Sequence, residues 1–180
     1  MTLADNQNPE PIFPADLLDR ADNAKPWRVA HTKSRREKAL ARYLADAGIG
    51  YYLPMYRRRQ SEPKRVRYSL MPLFNGYIFF KGDDLDRHKA LRSNQVARVI
   101  DVQTPETLIK ELSNIQKALT HESRVYPYDF VAEGQTVRVK KGPLKDVEGI
   151  IARKDRSYRL VLSVSTIMQS MAVTIDADMV

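Results

Sequence analysis

From Gly134 onward the chain is punctuated in a way that few folds can satisfy. In Gly134-Gln135-Thr136-Val137-Arg138-Val139, Val137 and Val139 alternate with polar residues, the period of a strand with one buried face. Gly142-Pro143 breaks that strand, and Gly149 opens a second apolar run through Ile150, Ile151 and Ala152. A third run carries Leu160, Leu162 and Val164, and a fourth carries Val173 and Ile175. Short strands separated by turn signals predict a small antiparallel β-barrel over residues 133–180. The glycines alone are less specific, because any small barrel needs them where strands bend sharply.

Bulk properties narrow the function. A length of 180 residues suits one or two domains with a core of ordinary size. The chain has no cysteine, which excludes disulfides and thiolate metal sites. No apolar run reaches a membrane span, and the N-terminus lacks the basic start and apolar core of a signal peptide, so a soluble, cytoplasmic protein with no membrane partner is expected. The net charge of +8 points to a polyanionic partner, although many solvated surfaces are basic without binding anything. Residues 1–24 oppose that charge: Asp5, Glu10, Asp16, Asp19 and Asp22 face Arg20 alone, a net −4, which leaves +12 on the remainder. With Pro9, Pro11 and Pro14, this segment reads as a disordered acidic tail with a helical turn near Leu17-Leu18.

Residues 25–121 read as an α+β domain. Trp27 to His31 alternates as a strand. Ser34-Arg35-Arg36-Glu37 has the form of a capping box, and Leu40, Tyr43, Leu44 and Ala47 follow at helical spacing, with Gly48 as a left-handed stop. An aromatic strand runs from Tyr77 to Phe80. A second helix starts near Asp84 and is expected to carry Leu85, His88 and Leu91 inward. A strand at 96–100 follows. Thr104-Pro105-Glu106 then starts a third helix with Leu108, Leu112, Ile115 and Leu119 on one stripe. Residues 122–132, with Tyr126-Pro127-Tyr128, read as a linker.

Taken in this order, the chain resembles the NusG family of transcription elongation factors. The residues that carry the resemblance are Trp27, Glu37 at the helix start, Leu53-Pro54, Leu73-Phe74-Asn75-Gly76-Tyr77, Arg92-Ser93 with Val96, Gly142-Pro143, and Arg159-Leu160 through Ser163-Val164-Ser165. Arg35 stands where the family usually has glycine, Asn75 replaces a proline, and Thr166-Ile167-Met168-Gln169 replaces a loop that usually reads Ile-Phe-Gly-Arg. Those departures resemble the specialised, operon-specific branch represented by RfaH. The resemblance implies an N-terminal NusG-like α/β sandwich and a C-terminal KOW barrel of SH3-like form.

It also implies partners. The N-terminal domain would dock on the clamp helices of RNA polymerase, with Leu73, Phe74 and Tyr77 as the leading candidates and Trp27 as a further one. Core packing is the competing role for these aromatic residues, but Phe74 is expected to be exposed because it sits in a turn-like segment. A basic stretch, Arg57, Arg58, Arg59, Lys64, Arg65 and Arg67, flanked by Tyr56 and Tyr68, combines phosphate-binding charge with rings for base stacking; Lys33, Arg35 and Arg36 extend it. The corresponding region of the family lies near upstream or non-template DNA, with nascent RNA a further candidate. A solvated outer strand face is the competing reading of the same arginines.

Ile167, Met168 and Met171 mark the expected contact of the barrel with a small-subunit ribosomal protein or Rho, and core filling is an equal role for Ile167. The β-branched residues of this region favour strands over the helical hairpin that some relatives adopt. The expected assembly state is a monomer. No cofactor, metal site or enzymatic activity is expected, since His31, His88 and His121 are scattered and no phosphate-binding glycine loop is present. The alternative function is a KOW-type RNA-binding protein acting on ribosomal or leader RNA.

Overall fold

A computed structural model describes residues 8–19, 24–62, 65–121, 125–129, 134–154, 157–176 and 179. The fold is mixed α and β with antiparallel sheets, and it divides into two units, residues 1–105 and 106–180. The division at Pro105 falls before the boundary at 121 expected from the sequence.

The first unit is built on a five-stranded antiparallel sheet in the order β1 (Ile12–Phe13), β3 (Gly50–Tyr52), β6 (Tyr77–Lys81), β2 (Trp27–Thr32), β7 (Val96–Asp101). Register explains how the aromatic run is used. Tyr51, Phe80 and Arg28 share one face, as do Ala30 and Ile78, while Tyr52, Phe79 and Val29 share the other. All of these side chains are buried, while Phe13 of β1, opposite Tyr51, is exposed. Ala30, Tyr51, Ile78 and Phe80 pack against Leu40, Ala41 and Leu44 of α1 (Glu37–Asp46) and Ala90 of α2 (Asp84–Arg92). Arg28 is buried and crosses three elements, donating to the Gly82 carbonyl, Asp84 and Asp101.

Several expectations need correction here. Residues 8–19 are not a plain tail. β1 pairs with β3, Leu53 N–H donates to the Pro11 carbonyl, and Leu17 and Leu18 are buried. Two leucines and two β-forming residues outweighed the acidic composition; residues 1–7 and 20–23 of the expected tail lie outside the described residues. The inward face of α2 also differs. Leu85 is 65% exposed and His88 is exposed, while Asp86 and Ala90 are buried. Asp86 turns inward because Lys25 and Lys89 neutralise its carboxylate and because it closes a capping box with Asp83.

The second unit joins α3 (Pro105–His121) to a five-stranded antiparallel sheet in the order β8 (Val125–Tyr128), β12 (Gln169–Ile175), β11 (Ser157–Val164), β10 (Glu148–Lys154), β9 (Gln135–Arg138). Leu108, Leu112 and Ile115 are buried as expected, but Ala118 completes the stripe and Leu119 is half-buried. Tyr126-Pro127-Tyr128 is a strand, not a linker; the remaining linker positions 122–124 and 130–132 lie outside the described residues. Among the described residues no pairing joins β8 to β9, so the sheet is open. Leu160, Leu162, Val164, Met171 and Val173 fill its interior face. Among the described residues no helix is long and apolar enough to cross a membrane.

Gly149 is required where β10 crosses β11. A Cβ there would lie 2.6 Å from the Val161 carbonyl oxygen and 2.8 Å from Leu162 Cδ2. Gly149→Ala should therefore destabilise the protein by about 1–3 kcal/mol through overpacking, read from its urea midpoint. Glu148 accepts from Lys110 of α3 and Arg138 of β9, and these hydrogen bonds hold its carboxyl below the ordinary glutamate value of 4.5. A depressed folded pKa contributes stability above the unfolded value that is lost as pH falls through the folded one. Thermal midpoints should therefore fall more steeply below pH 4.5 for the native chain than for Glu148→Gln.

Candidate nucleic-acid interface and docking surface

The basic stretch forms a two-stranded ribbon of β4 (Met55–Glu62) and β5 (Arg65–Pro72) that, among the described residues, pairs with no other strand. Its root is anchored by Met55, which is buried in the core, and by Leu70, which packs against it. Lys38 Nζ donates to the Leu70 carbonyl at 2.6 Å and to Asn8 Oδ1, linking the start of α1 to that root. Beyond it, Arg57, Arg58, Arg59 and Arg67 are exposed. No acidic side chain pairs with any of the four among the described residues.

Alternation divides them between two faces. Arg57 lies opposite Leu70 and Arg59 opposite Tyr68 on one face, while Arg58 opposite Ser69 and Gln60 opposite Arg67 share the other. Tyr68 is 61% exposed, an open ring beside the Arg59 position. Uncompensated cations next to an accessible ring suit a phosphate backbone with an unstacked base. Arg65 lies opposite Glu62 at the far end of the ribbon, and Lys64 lies outside the described residues.

Lys33, Arg35 and Arg36 occupy the exposed turn between β2 and α1. Lys33 Nζ is held by Asn94 Oδ1. Arg35 adopts φ +59°, the left-handed conformation that costs a non-glycine residue, which accounts physically for a glycine preference at this position. That kink defeats the expected capping box: the helix starts after Arg36 without a side-chain cap, and Ser34 lies too early to serve it. Glu37 is free for another partner and turns inward, where its Oε1 accepts from the Gly76 N–H at 2.6 Å.

The Gly76 contact fixes the docking candidates. Gly76 has φ +82°, its carbonyl accepts from Thr32 N–H, and Tyr77 N–H closes the turn onto the Phe74 carbonyl. Phe74 is consequently 1% exposed, not presented to solvent, and packs edge-on against Phe79 with ring centroids 6.3 Å apart. A turn-like backbone does not expose a side chain when both its ends are tied to the sheet. Leu73 and Trp27 are buried as well. Tyr77 is half-buried, with its ring 4.9 Å from that of His31, and forms the accessible part of this set.

In the second unit, Ile167 and Met171 are buried and only Met168 is presented, 67% exposed at φ +51° after a 3-10 turn over Ser165–Ile167. Met171 turns inward because it is paired with Leu162 on the interior face of the sheet. Glu111 of α3 accepts from both the backbone N–H and the hydroxyl of Ser165 at the start of that turn. Sequence reading passed over Tyr126 and Tyr128; their spacing of two, the strand period, was the available signal.

A family model described as transcription termination factor nusG matches residues 25–119. The chain belongs to the NusG family. Among solved structures, Thermotoga maritima NusG aligns over 86% of this chain and 95% of its own at 16% identity, with a TM-score of 0.46. A comparison with curated proteins gives no match.

Within this NusG-family chain, Glu37 can be tested as the element that fixes the Gly76 turn. Glu37→Ala would leave the Gly76 N–H without its acceptor and should cost about 1–3 kcal/mol in denaturant unfolding, whereas Glu37→Gln keeps an acceptor and should cost less. Equal losses from the two variants would argue against the hydrogen bond as the cause.

Proposed function

We propose that this chain is a transcription elongation and antitermination factor that binds RNA polymerase through its N-terminal unit. The observation that carries the proposal is the family match over residues 25–119. Members of this family are elongation and termination factors. Clamp helices are the proposed docking partner, and Tyr77 with His31 is the proposed accessible contact, while Trp27, Leu73 and Phe74 are buried. A factor that bridges the cleft acts by binding the closed clamp better than the open one, and it shifts that equilibrium by no more than the difference. A preference of about 1.4 kcal/mol changes the ratio tenfold.

The β4–β5 ribbon is the proposed contact with upstream or non-template DNA. Its four exposed arginines support this reading, because a polyanion supplies the charge that the fold does not. The C-terminal unit, with its open five-stranded sheet in place of the expected closed barrel, is the proposed KOW module, recruiting a partner such as a small-subunit ribosomal protein or Rho. The exposed Met168 is an adaptable apolar contact for that role. On this reading the protein is a cytoplasmic monomer that acts by binding and performs no catalysis.

Binding of the fluorescently labelled full chain to core RNA polymerase tests the first claim. The native chain should bind, and Tyr77→Ala should weaken binding by at least about tenfold, the scale of an interface hot spot. Replacing Arg57, Arg58 and Arg59 by serine should leave core binding intact. It should also weaken binding to an elongation complex with an exposed non-template strand and reduce the salt slope by up to about three. A folded native chain that ignores polymerase yet binds RNA tightly and salt-sensitively would instead identify a KOW-type RNA-binding protein.

A further inference from the structure

One cluster in the second unit belongs to neither the ribbon nor the Met168 loop. Tyr126 and Tyr128 on β8 and Arg159 on β11 lie on the same face of the sheet, with β12 between them. Tyr126 lies opposite Ala172, Tyr128 opposite Ser170, and Arg159 opposite Thr174. Ala172 and Ser170 are small and buried, so the central strand forms a shallow floor across which long side chains can meet. The Arg159 guanidinium carbon lies 5.5 Å from the Tyr126 ring centroid and 6.0 Å from that of Tyr128. The two rings are 6.4 Å apart and inclined at 63°.

Arg159 is held in an unusual way. Its Nε is shut off from solvent with no hydrogen-bond partner, and no carboxylate pairs with the side chain among the described residues. The two rings supply its orientation through cation–π attraction, which leaves its charge uncompensated. A planar cation on aromatic faces is an arrangement that takes unstacked bases and their phosphates. Two phenol hydroxyls and the exposed Thr174 on the same face can hydrogen-bond a ribose 2′-hydroxyl. An acidic peptide would satisfy Arg159 but give the paired rings no role.

The geometry points to a single-stranded RNA site on this face, in which a base stacks on the outer side of the Arg159 guanidinium and the two tyrosines hold that plane in position. The site acts independently of polymerase binding and lies apart in sequence from the arginines of the ribbon.

The test uses the full chain with Arg57→Ser, Arg58→Ser, Arg59→Ser and Arg67→Ser, so that the four exposed arginines of the ribbon are removed. Fluorescence anisotropy with labelled oligouridine of about twelve nucleotides, within the range of single-strand sites, reads the affinity. This chain should bind, and adding Arg159→Ala should weaken binding by about five- to a hundredfold, the loss of one stacked base. Arg159→Lys keeps the charge but removes the planar face, so it should lose most of the same affinity and decides the matter should the alanine variant fail to fold. Ultraviolet cross-linking of uridine to Tyr126 or Tyr128 in the chain with intact Arg159 is expected and depends on no substitution at the site. Unchanged affinity in a folded Arg159→Lys chain, or no binding by the ribbon-substituted chain, overturns the site. Equal affinity for oligothymidine of the same length overturns its assignment to RNA.

Discussion

The hydrogen bond from the Gly76 N–H to Glu37 Oε1 sets much of the first unit. It joins the first residue of α1 to the turn before β6, and the Gly76 carbonyl in turn receives the Thr32 N–H from the end of β2. The turn before β6 thus meets the end of β2 and the start of α1 through the two backbone groups of Gly76. A carboxyl acceptor suits this place because an unmatched amide there would be costly. The left-handed Arg35 is part of the same arrangement, since its kink brings Glu37 to the start of the helix and turns it inward.

Burial of the sheet on both faces has a direct consequence for recognition. Tyr51 and Phe80 face one way and Tyr52 and Phe79 the other, all withdrawn from water. The accessible aromatic pair near this run is Tyr77 with His31, which meet where β2 ends and β6 begins. Charge follows the opposite logic. Arg28 is matched by Asp84 and Asp101, and Asp86 by Lys25 and Lys89, so cations inside the unit are compensated. Among the described residues Arg57, Arg58, Arg59 and Arg67 lack such partners, and that contrast separates cations that hold the fold from cations available to a ligand.

Much of the architecture was legible in the sequence because it rests on period and punctuation. The strand at Trp27, α1 with its Gly48 stop at φ +69°, and the third helix all follow from residue spacing. Features decided by long-range partners were not legible. Glu37 resembled a local cap because the sequence says nothing of Gly76 lying beside it. The inward turn of Asp86 was not legible because Lys25 meets it only in the folded chain. Phe74 sat in a turn, and turns usually lie at the surface, but an edge-on contact with Phe79 cannot be read from neighbouring residues. The ribbon was legible as a basic stretch, while its division into two faces required the register of β4 against β5.

The third helix makes the same point at the level of units. Its stripe of Leu108, Leu112 and Ile115 states that one face must be buried, but an apolar stripe does not name its partner. The partner is specified by polar residues on the rest of the helix. Lys110 and Asn114 reach Glu148 on β10, Glu111 holds the turn at Ser165, and Lys117 reaches the Lys145 carbonyl. Each is an ordinary surface residue of a helix when read in sequence, and each gains meaning only from the strand or turn opposite it. Apolar period fixes that a helix packs, and the placement of hydrogen-bonding groups selects where. That is why α3 could be drawn from the sequence to within a residue or so at its start, while its membership of the C-terminal unit could not.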